Sequence, residues 1–323
     1  MNRRLFAYLA LLAALACTGA SVAQTPGIES PGMSAEANVQ FLTYDFSTVD
    51  NWPCFSPDGK NILFSRSVDG GLTYSLYLVP VSGGKPHKLT EESLPVSATR
   101  AAWSAASDII AFTGQSRDGK RSLWVINGDG GNPHQVEAAS LSDKVVDPAW
   151  YPDGKQVAVT DAGQDVLQRV DVQQGSGAAL TSRERVLAAT PSVSPDGKLV
   201  AFAGRPYVAN SKDQPKTALW LIDEKNGTHP MGTAEISGRA PAWSPDGQWL
   251  AFESNRSGTP ELSAVYLIKR DGSHLKQITE YELNASRPVW SPDGQSLTVS
   301  GRFIKGHIRT GIVLLKLQAA GKN

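Results

Sequence analysis

A seven-residue string recurs down this chain in phase, and no other feature limits its fold so tightly. It reads Pro53-Cys-Phe-Ser-Pro-Asp-Gly59, Trp150-Tyr-Pro-Asp-Gly154, Pro191-Ser-Val-Ser-Pro-Asp-Gly197, Pro241-Ala-Trp-Ser-Pro-Asp-Gly247 and Pro288-Val-Trp-Ser-Pro-Asp-Gly294, with a worn copy at Trp103-Ser-Ala-Ala-Ser107. Aligned on the Trp position, the units start from Phe55, Trp103, Trp150, Val193, Trp243 and Trp290, so six units follow one another at about 47 residues, the length of one propeller blade. Ser-Pro-Asp-Gly suits a type I turn. Ser occupies the first corner, Pro presets the backbone angle of the second, and Gly takes the exit conformation that other residues resist.

The flanks of each turn predict strands. Apolar, often alternating segments follow the turns, as in Asn61-Ile-Leu-Phe-Ser65, Leu199-Val-Ala-Phe202 and Trp249-Leu-Ala-Phe252. A third strand comes next (Leu76-Tyr-Leu-Val79, Leu123-Trp-Val-Ile126, Leu219-Trp-Leu-Ile222, Val265-Tyr-Leu-Ile268), then a Gly-containing turn and a short fourth strand such as His87-Lys-Leu-Thr90. The expected fold class is all-β: a six-bladed propeller of four-stranded antiparallel blades. The last unit ends after its third strand, Ile312 to Leu317, whereas Phe41-Leu-Thr43 precedes the first turn much as Gln277-Ile-Thr279 precedes the last. The N-terminal strand should therefore complete the sixth blade and close the ring, leaving no central edge open.

A basic start, Met1-Asn2-Arg3-Arg4, leads into the apolar run Leu5 to Ala16, and Ser21-Val22-Ala23 offers the small residues of a cleavage site. The expected organisation is a signal peptide over 1–23 cleaved after Ala23, a flexible linker over 24–37, the propeller over 38–319 and a tail over 320–323. The location that follows is periplasmic or secreted. A run of a dozen residues falls short of the roughly 20 that span a bilayer, so no membrane span is expected. The competing pattern is a lipoprotein signal acylated at Cys17, although Ala14-Leu15-Ala16-Cys17 reverses the usual order of Ala and Leu. With that leader removed, Cys54 would be the sole thiol, a small buried hydrophobe. Across the whole chain, 31 Lys+Arg balance 31 Asp+Glu, which gives no field to recruit nucleic acid.

The repeated Pro-x-Trp-Ser-Pro-Asp-Gly with its apolar strand resembles the TolB-like, or PD40, propeller repeat over residues 38 to 319. The resemblance is to the propeller part of TolB and does not extend to its N-terminal α/β domain. It implies a protein-contact role in the cell envelope. PD40 propellers are also similar to those of oligogalacturonide lyases, and that likeness implies the alternative of an enzyme acting on an anionic saccharide; a small-molecule or metal-ion sensor with its ligand in the channel is a third possibility.

Catalytic signatures are missing: the chain has no GxSxG elbow, no HExxH pair and no cysteine cluster. His87, His134, His229 and His274 follow the third-to-fourth strand turn in four different blades. Copies in neighbouring blades should lie about 20 Å apart, too far to converge on one metal ion. His307 stands alone, in the connection between strands two and three of the last blade. The expected sites are therefore binding sites, with no catalytic residue, no metal and no cofactor.

Arginines are placed unevenly. Of the 14 beyond the leader, 12 fall in connections on the face opposite the Ser-Pro-Asp-Gly turns, here termed the top. Those after second strands (Arg66, Arg117, Arg205, Arg256, Arg302) read as structural forks to a neighbouring blade. Arg100, Arg239 and Arg287 stand where innermost strands begin and should ring the channel mouth with Trp52, Asp147 and Thr190. Gly204 to Lys216 is the longest top insert, and Tyr207 and Val208 at its tip are its expected contact residues. The function expected from these features is non-enzymatic binding of an envelope protein or peptide through the top face.

Overall fold

The computed structural model describes residues 38–45, 47–91, 94–208, 215–223, 227–232, 236–256, 262–305 and 307–317, with the backbone alone over 303–309. The leader, the 24–37 linker and the 320–323 tail lie outside the described residues. After β1 (Asn38–Phe41), six blades follow in chain order. Blade 1 holds β2 (Val49–Phe55), β3 (Asn61–Ser67), β4 (Ser75–Pro80) and β5 (His87–Lys88). Blade 2 holds β6 (Ser97–Trp103), β7 (Ile109–Gln115), β8 (Arg121–Asn127) and β9 (His134–Gln135). Blade 3 is β10 (Val145–Trp150), β11 (Gln156–Asp161), β12 (Val166–Asp171) and β13 (Gly177–Ala179). Blade 4 is β14 (Val186–Val193), β15 (Leu199–Pro206), β16 (Ala218–Asp223) and β17 (Gly227–Pro230). Blade 5 comprises β18 (Arg239–Trp243), β19 (Trp249–Ser254), β20 (Ala264–Lys269) and β21 (Lys276–Gln277), and blade 6 comprises β22 (Ser286–Trp290), β23 (Ser296–Lys305) and β24 (His307–Lys316).

Blade 6 borrows its outer strand. Its order is β22-β23-β24-β1, with Asn38 opposite Lys316 and Phe41 opposite Val313. Beyond the strand, the amides of Leu42 and Thr43 both donate to the Ile312 carbonyl, at 2.9 and 3.2 Å, and the Ile312 amide donates to Thr43 Oγ1 at 2.9 Å. The two ends of the chain thus close the ring as one sheet.

Each Ser-Pro-Asp-Gly turn is tied by its own side chains. In the first, Ser56 Oγ donates to Asp58 Oδ1 (2.6 Å) and accepts from the Asn61 amide (3.0 Å), while Asp58 Oδ1 also accepts from the Lys60 amide (3.0 Å). The Gly59 amide closes onto the Ser56 carbonyl at 2.9 Å with φ of 70°, where a side chain would be strained. Turns of neighbouring blades touch: a Cβ on Gly197 would meet Pro152 of the preceding turn at 3.1 Å. The repeated Trp staples blades together. Trp150, Trp243 and Trp290 each donate Nε1–H to a backbone carbonyl of the preceding blade, at Ala102 (3.0 Å), Ser192 (3.2 Å) and Ala242 (3.1 Å).

Phe64, Phe112, Phe202 and Phe252 occupy one repeat position on four second strands and are fully buried. Each packs on an aromatic of its third strand (Tyr77, Trp124, Trp220, Tyr266) with centroids 5.8–6.3 Å apart. Two details differ from the sequence reading. Arg66 forks onto Asp50 of its own blade (2.7 Å at both bonds) and Arg256 lies over Tyr266 of its own blade, so these two forks do not reach a neighbour. In blade 6, β23 and β24 remain paired as far as Lys305 and His307, where the sequence suggested an irregular connection. The side chains of His307 and Arg309 lie outside the described residues.

Candidate functional site at the channel

In every blade the innermost strand breaks register once against the second strand, and the break carries the site. The shifts fall between Asn51 and Cys54, Thr99 and Ala102, Val146 and Ala149, Ala189 and Ser192, Arg239 and Ala242, and Ser286 and Val289. The bulged residues are Trp52, Arg100, Asp147, Thr190, Ala240 and Arg287, all left-handed with φ between 46° and 55°. Non-glycine residues take that conformation at a cost of roughly 1–3 kcal/mol each, so it persists only where the surroundings fix it. Here the preceding blade of the ring helps to fix it. Four of the ring amides donate across blade boundaries: Trp52 to Ser300 Oγ (3.1 Å), Thr190 to Thr160 Oγ1 (3.0 Å), Ala240 to Thr190 Oγ1 (3.2 Å) and Arg287 to Glu253 Oε2 (2.9 Å).

Five of the six predicted ring residues are brought together, and one is not. The ring member of blade 5 is Ala240. Arg239 points away at the preceding position, half exposed, with its Nε 3.3 Å from Glu253 Oε1. Ala240 precedes Pro241 as Trp52, Asp147, Thr190 and Arg287 precede their prolines, so the repeat register marks Ala240, and Arg239 lies one residue out of phase. Tyr207 follows β15 on the top face, partly exposed beneath the Arg183 guanidinium (5.8 Å), and it does not line the channel.

Asp147 from blade 3 is gripped by Arg100 of blade 2, whose Nη1 lies 3.1 Å from both carboxylate oxygens, and by Arg287 of blade 6, whose Nη1 lies 2.7 Å from Oδ1. Burial works to raise the Asp147 carboxyl. The Arg287 and Arg100 guanidiniums outweigh it and hold the group below the usual carboxylate range. Arg100 also lies over the Trp52 ring at 5.2 Å, and Trp52 meets Tyr74 edge to face at 5.3 Å. From this seal a cavity of about 400 Å³ runs down the axis to the turn prolines Pro57, Pro195, Pro245 and Pro292, walled by Trp103, Trp243 and Trp290. The recess belongs to the turn side of the ring. The residues just above the bulges do not line it.

An aspartate locked as a carboxylate between two guanidiniums is a poor proton donor and a weak base. Its geometry serves to join three blades across the axis. Among the described residues, no three His, Cys, Asp or Glu side chains gather in a way that could hold a metal ion. His87, His134, His229 and His274 sit at the outer strands of four separate blades. Glu253, which supports both Arg239 and the Arg287 amide, was not singled out from sequence; its signal was its place opposite the bulge, where Thr160 and Ser300 stand in other blades.

Fold and seal together define a six-bladed propeller whose axis is closed by an ion-paired bulge ring. The family model described as PD40, TolB beta propeller domain, matches residues 36–211, more than half of the chain, and the chain belongs to this family. It is 33% identical over 111 residues to the uncharacterized peptidase YuxL of Bacillus subtilis (strain 168), a match that covers 34% of this chain and spans only 16% of that protein. Among solved structures it resembles TolB from Acinetobacter baumannii (20% identity, TM-score 0.60, 75% of this chain and 57% of that one). It also resembles putative TolB from Agrobacterium tumefaciens (19% identity, TM-score 0.61, 85% and 93%). At these identities the structural likeness speaks for the fold.

Proposed function

We propose that this protein is a non-enzymatic contact module of the cell envelope, exported behind its leader, that engages an envelope protein or peptide through its top face. One observation carries the reading. Of the six large hydrophobic side chains exposed among the described residues, five (Tyr44, Val68, Leu72, Tyr207 and Val208) lie in top connections, and only Leu275 lies on the turn side. Apolar side chains interleaved with arginines make a surface suited to protein contact.

The most exposed of them is also held stiffly. Leu72 stands on the connection between β3 and β4, whose Asp69 accepts hydrogen bonds from Ser67 Oγ (2.6 Å), Thr73 Oγ1 (2.5 Å) and the Leu72 and Thr73 amides (3.0 Å each). Those bonds, Ser67 and Thr73 foremost, hold the Asp69 carboxyl far below the ordinary range. A preorganised loop loses little entropy on binding. Among the described residues no helix is long and apolar enough to cross a membrane. The ionised, doubly paired state of Asp147 disfavours it as the acid or base of saccharide chemistry, a role for which His307 is the other candidate.

The test is a photo-crosslinking residue placed at Leu72, at Tyr207 or at Leu275 in intact cells, with captured proteins identified by mass spectrometry. Capture of the same envelope protein from both top positions, and not from Leu275, is the expected result. Capture from Leu275 alone would place the contact on the turn face and end the reading. N-terminal sequencing of the exported form should begin at Gln24, and labelling at Cys17 with a palmitate analogue would instead indicate cleavage at Cys17 with acylation there.

A further inference from the structure

A second cavity, of about 440 Å³, opens on the top between blades 4 and 5, away from the axis. Among the described residues it is lined by Lys216 and Thr217 ahead of β16, by Ser237, Gly238 and Arg239 entering β18, and by Glu253 to Arg256 at the end of β19. Its frame is built of backbone bonds. Ala218 bridges Ser237, the Leu219 amide donates to the Ile236 carbonyl at 2.9 Å, and Ser254 Oγ donates to the Ser237 carbonyl at 2.7 Å.

The charges do not balance. Three cations, Lys216, Arg239 and Arg256, face one carboxylate, Glu253. That carboxylate is buried and both of its oxygens are engaged, Oε1 by Arg239 Nε at 3.3 Å and Oε2 by the Arg287 amide at 2.9 Å. Among the described residues neither Lys216 nor Arg256 has a carboxylate within ion-pair distance. Among its described residues the cleft carries two more positive than negative charges, on a chain with zero formal net charge. Among the described residues no aromatic side chain lines the cleft, and Arg256 lies over the Tyr266 ring at 5.3 Å. Hydroxyls of Thr217 and Ser237 and the amide of Asn255 add neutral hydrogen-bonding groups.

The geometry points to a binding site for a phosphate-type dianion in this cleft, held by Lys216, Arg239 and Arg256. A phosphate monoester carries close to two negative charges at neutral pH and offers three acceptor oxygens, which matches the excess charge and the number of cations. The volume suits a small ligand. This assignment stands apart from the contact role above, because it needs neither a protein partner nor the channel.

The experiment is calorimetric titration of the full chain with inorganic phosphate, and separately with glycerol 3-phosphate and succinate. Saturable binding of phosphate and glycerol 3-phosphate is expected, weakened about tenfold or more in Arg256→Gln and in Lys216→Gln, since a charge-assisted hydrogen bond is lost in each. Among the described residues neither side chain is within ion-pair distance of a carboxylate, so Lys216→Gln should melt like the parent and Arg256→Gln should lose only its contact with the Tyr266 ring, a drop of about 2 °C or less in melting temperature. Arg183→Gln, on the same face but outside the cleft, should bind normally. Absence of saturable binding, an equal loss in Arg183→Gln, or succinate binding as tightly as phosphate would each overturn the assignment. Cosedimentation with phosphatidylcholine vesicles containing phosphatidic acid separates the sources. Loss in the same two variants assigns the phosphate to a lipid headgroup, and no cosedimentation alongside phosphate binding assigns it to a soluble ester. Vesicle binding without phosphate binding would refute a phosphate site.

Discussion

Replacing Asp147 with Asn keeps the shape of the side chain at the channel seal and removes its charge. In the parent the Asp147 side chain is 10% exposed and the two arginine side chains that hold it are 25% and 27% exposed. Breaking a buried ion pair from one side costs about 3–5 kcal/mol, because the partner charges stay behind. Here two like charges stay behind. About a quarter of each arginine side chain is exposed, so the lower end, about 3 kcal/mol, is the working figure. For a chain of this size each kcal/mol moves the melting temperature by about 2 °C, which predicts a drop of about 6 °C by differential scanning calorimetry at neutral pH. The sign of the pH dependence follows from the direction of the shift. The folded-state pKa of Asp147 lies below its unfolded value, so its contribution is complete above about pH 4 and fades as pH falls through the folded value. Parent and variant should therefore converge in strong acid. Asp147→Ala should recover part of the loss in added acetate, which can enter between Arg100 and Arg287, while the parent should not respond. A variant that melts with the parent at neutral pH would refute the seal as a structural joint.

Other outcomes follow from the same geometry. Trp290→Phe should cost about 1–2 kcal/mol in denaturant melts, because the buried Ala242 carbonyl loses its donor while the ring packing is largely kept. Cys54 is buried and its thiol is pushed up to about 12, so peptide mapping should find it unmodified by iodoacetamide in the native protein at mildly alkaline pH and labelled after denaturation. Asp69→Ala should loosen the β3–β4 connection and reduce photo-capture from Leu72 several-fold, with capture from Tyr207 retained.

The repeat made the architecture legible because it encodes its own reasons. Ser, Pro, Asp and Gly each perform a local task in the turn, and the in-phase spacing counts the blades without any tertiary information. The closing strand could be read from Phe41 to Thr43 because they imitate the segment before another blade. The site was less legible. Pro following Trp52, Asp147, Thr190, Ala240 and Arg287 marks the axis position, so Ala240 was legible as the ring member of blade 5; the left-handed bulge itself depends on amides bonding across blades, which spacing does not reveal. Local partners were hidden because strand register is not printed in the spacing: Arg66 reads as a fork to a neighbouring blade and instead finds Asp50 across one pair of strands of its own. The cleft between blades 4 and 5 draws its described lining from three segments spread over 40 positions, Lys216 to Arg256, and needed the ring to be assembled before it could be seen.

Both faces, the seal and the cleft have meaning only if the first strand clasps the last blade. Native-state hydrogen exchange on the full chain, read at residues 38–43 and 312–316, measures that clasp. The amides of Leu42, Thr43 and Ile312 should exchange with the slowest class, through global unfolding, because they are bonded to one another across the closure. Exchange of these amides as fast as those of the exposed connections would mean that the ring is open.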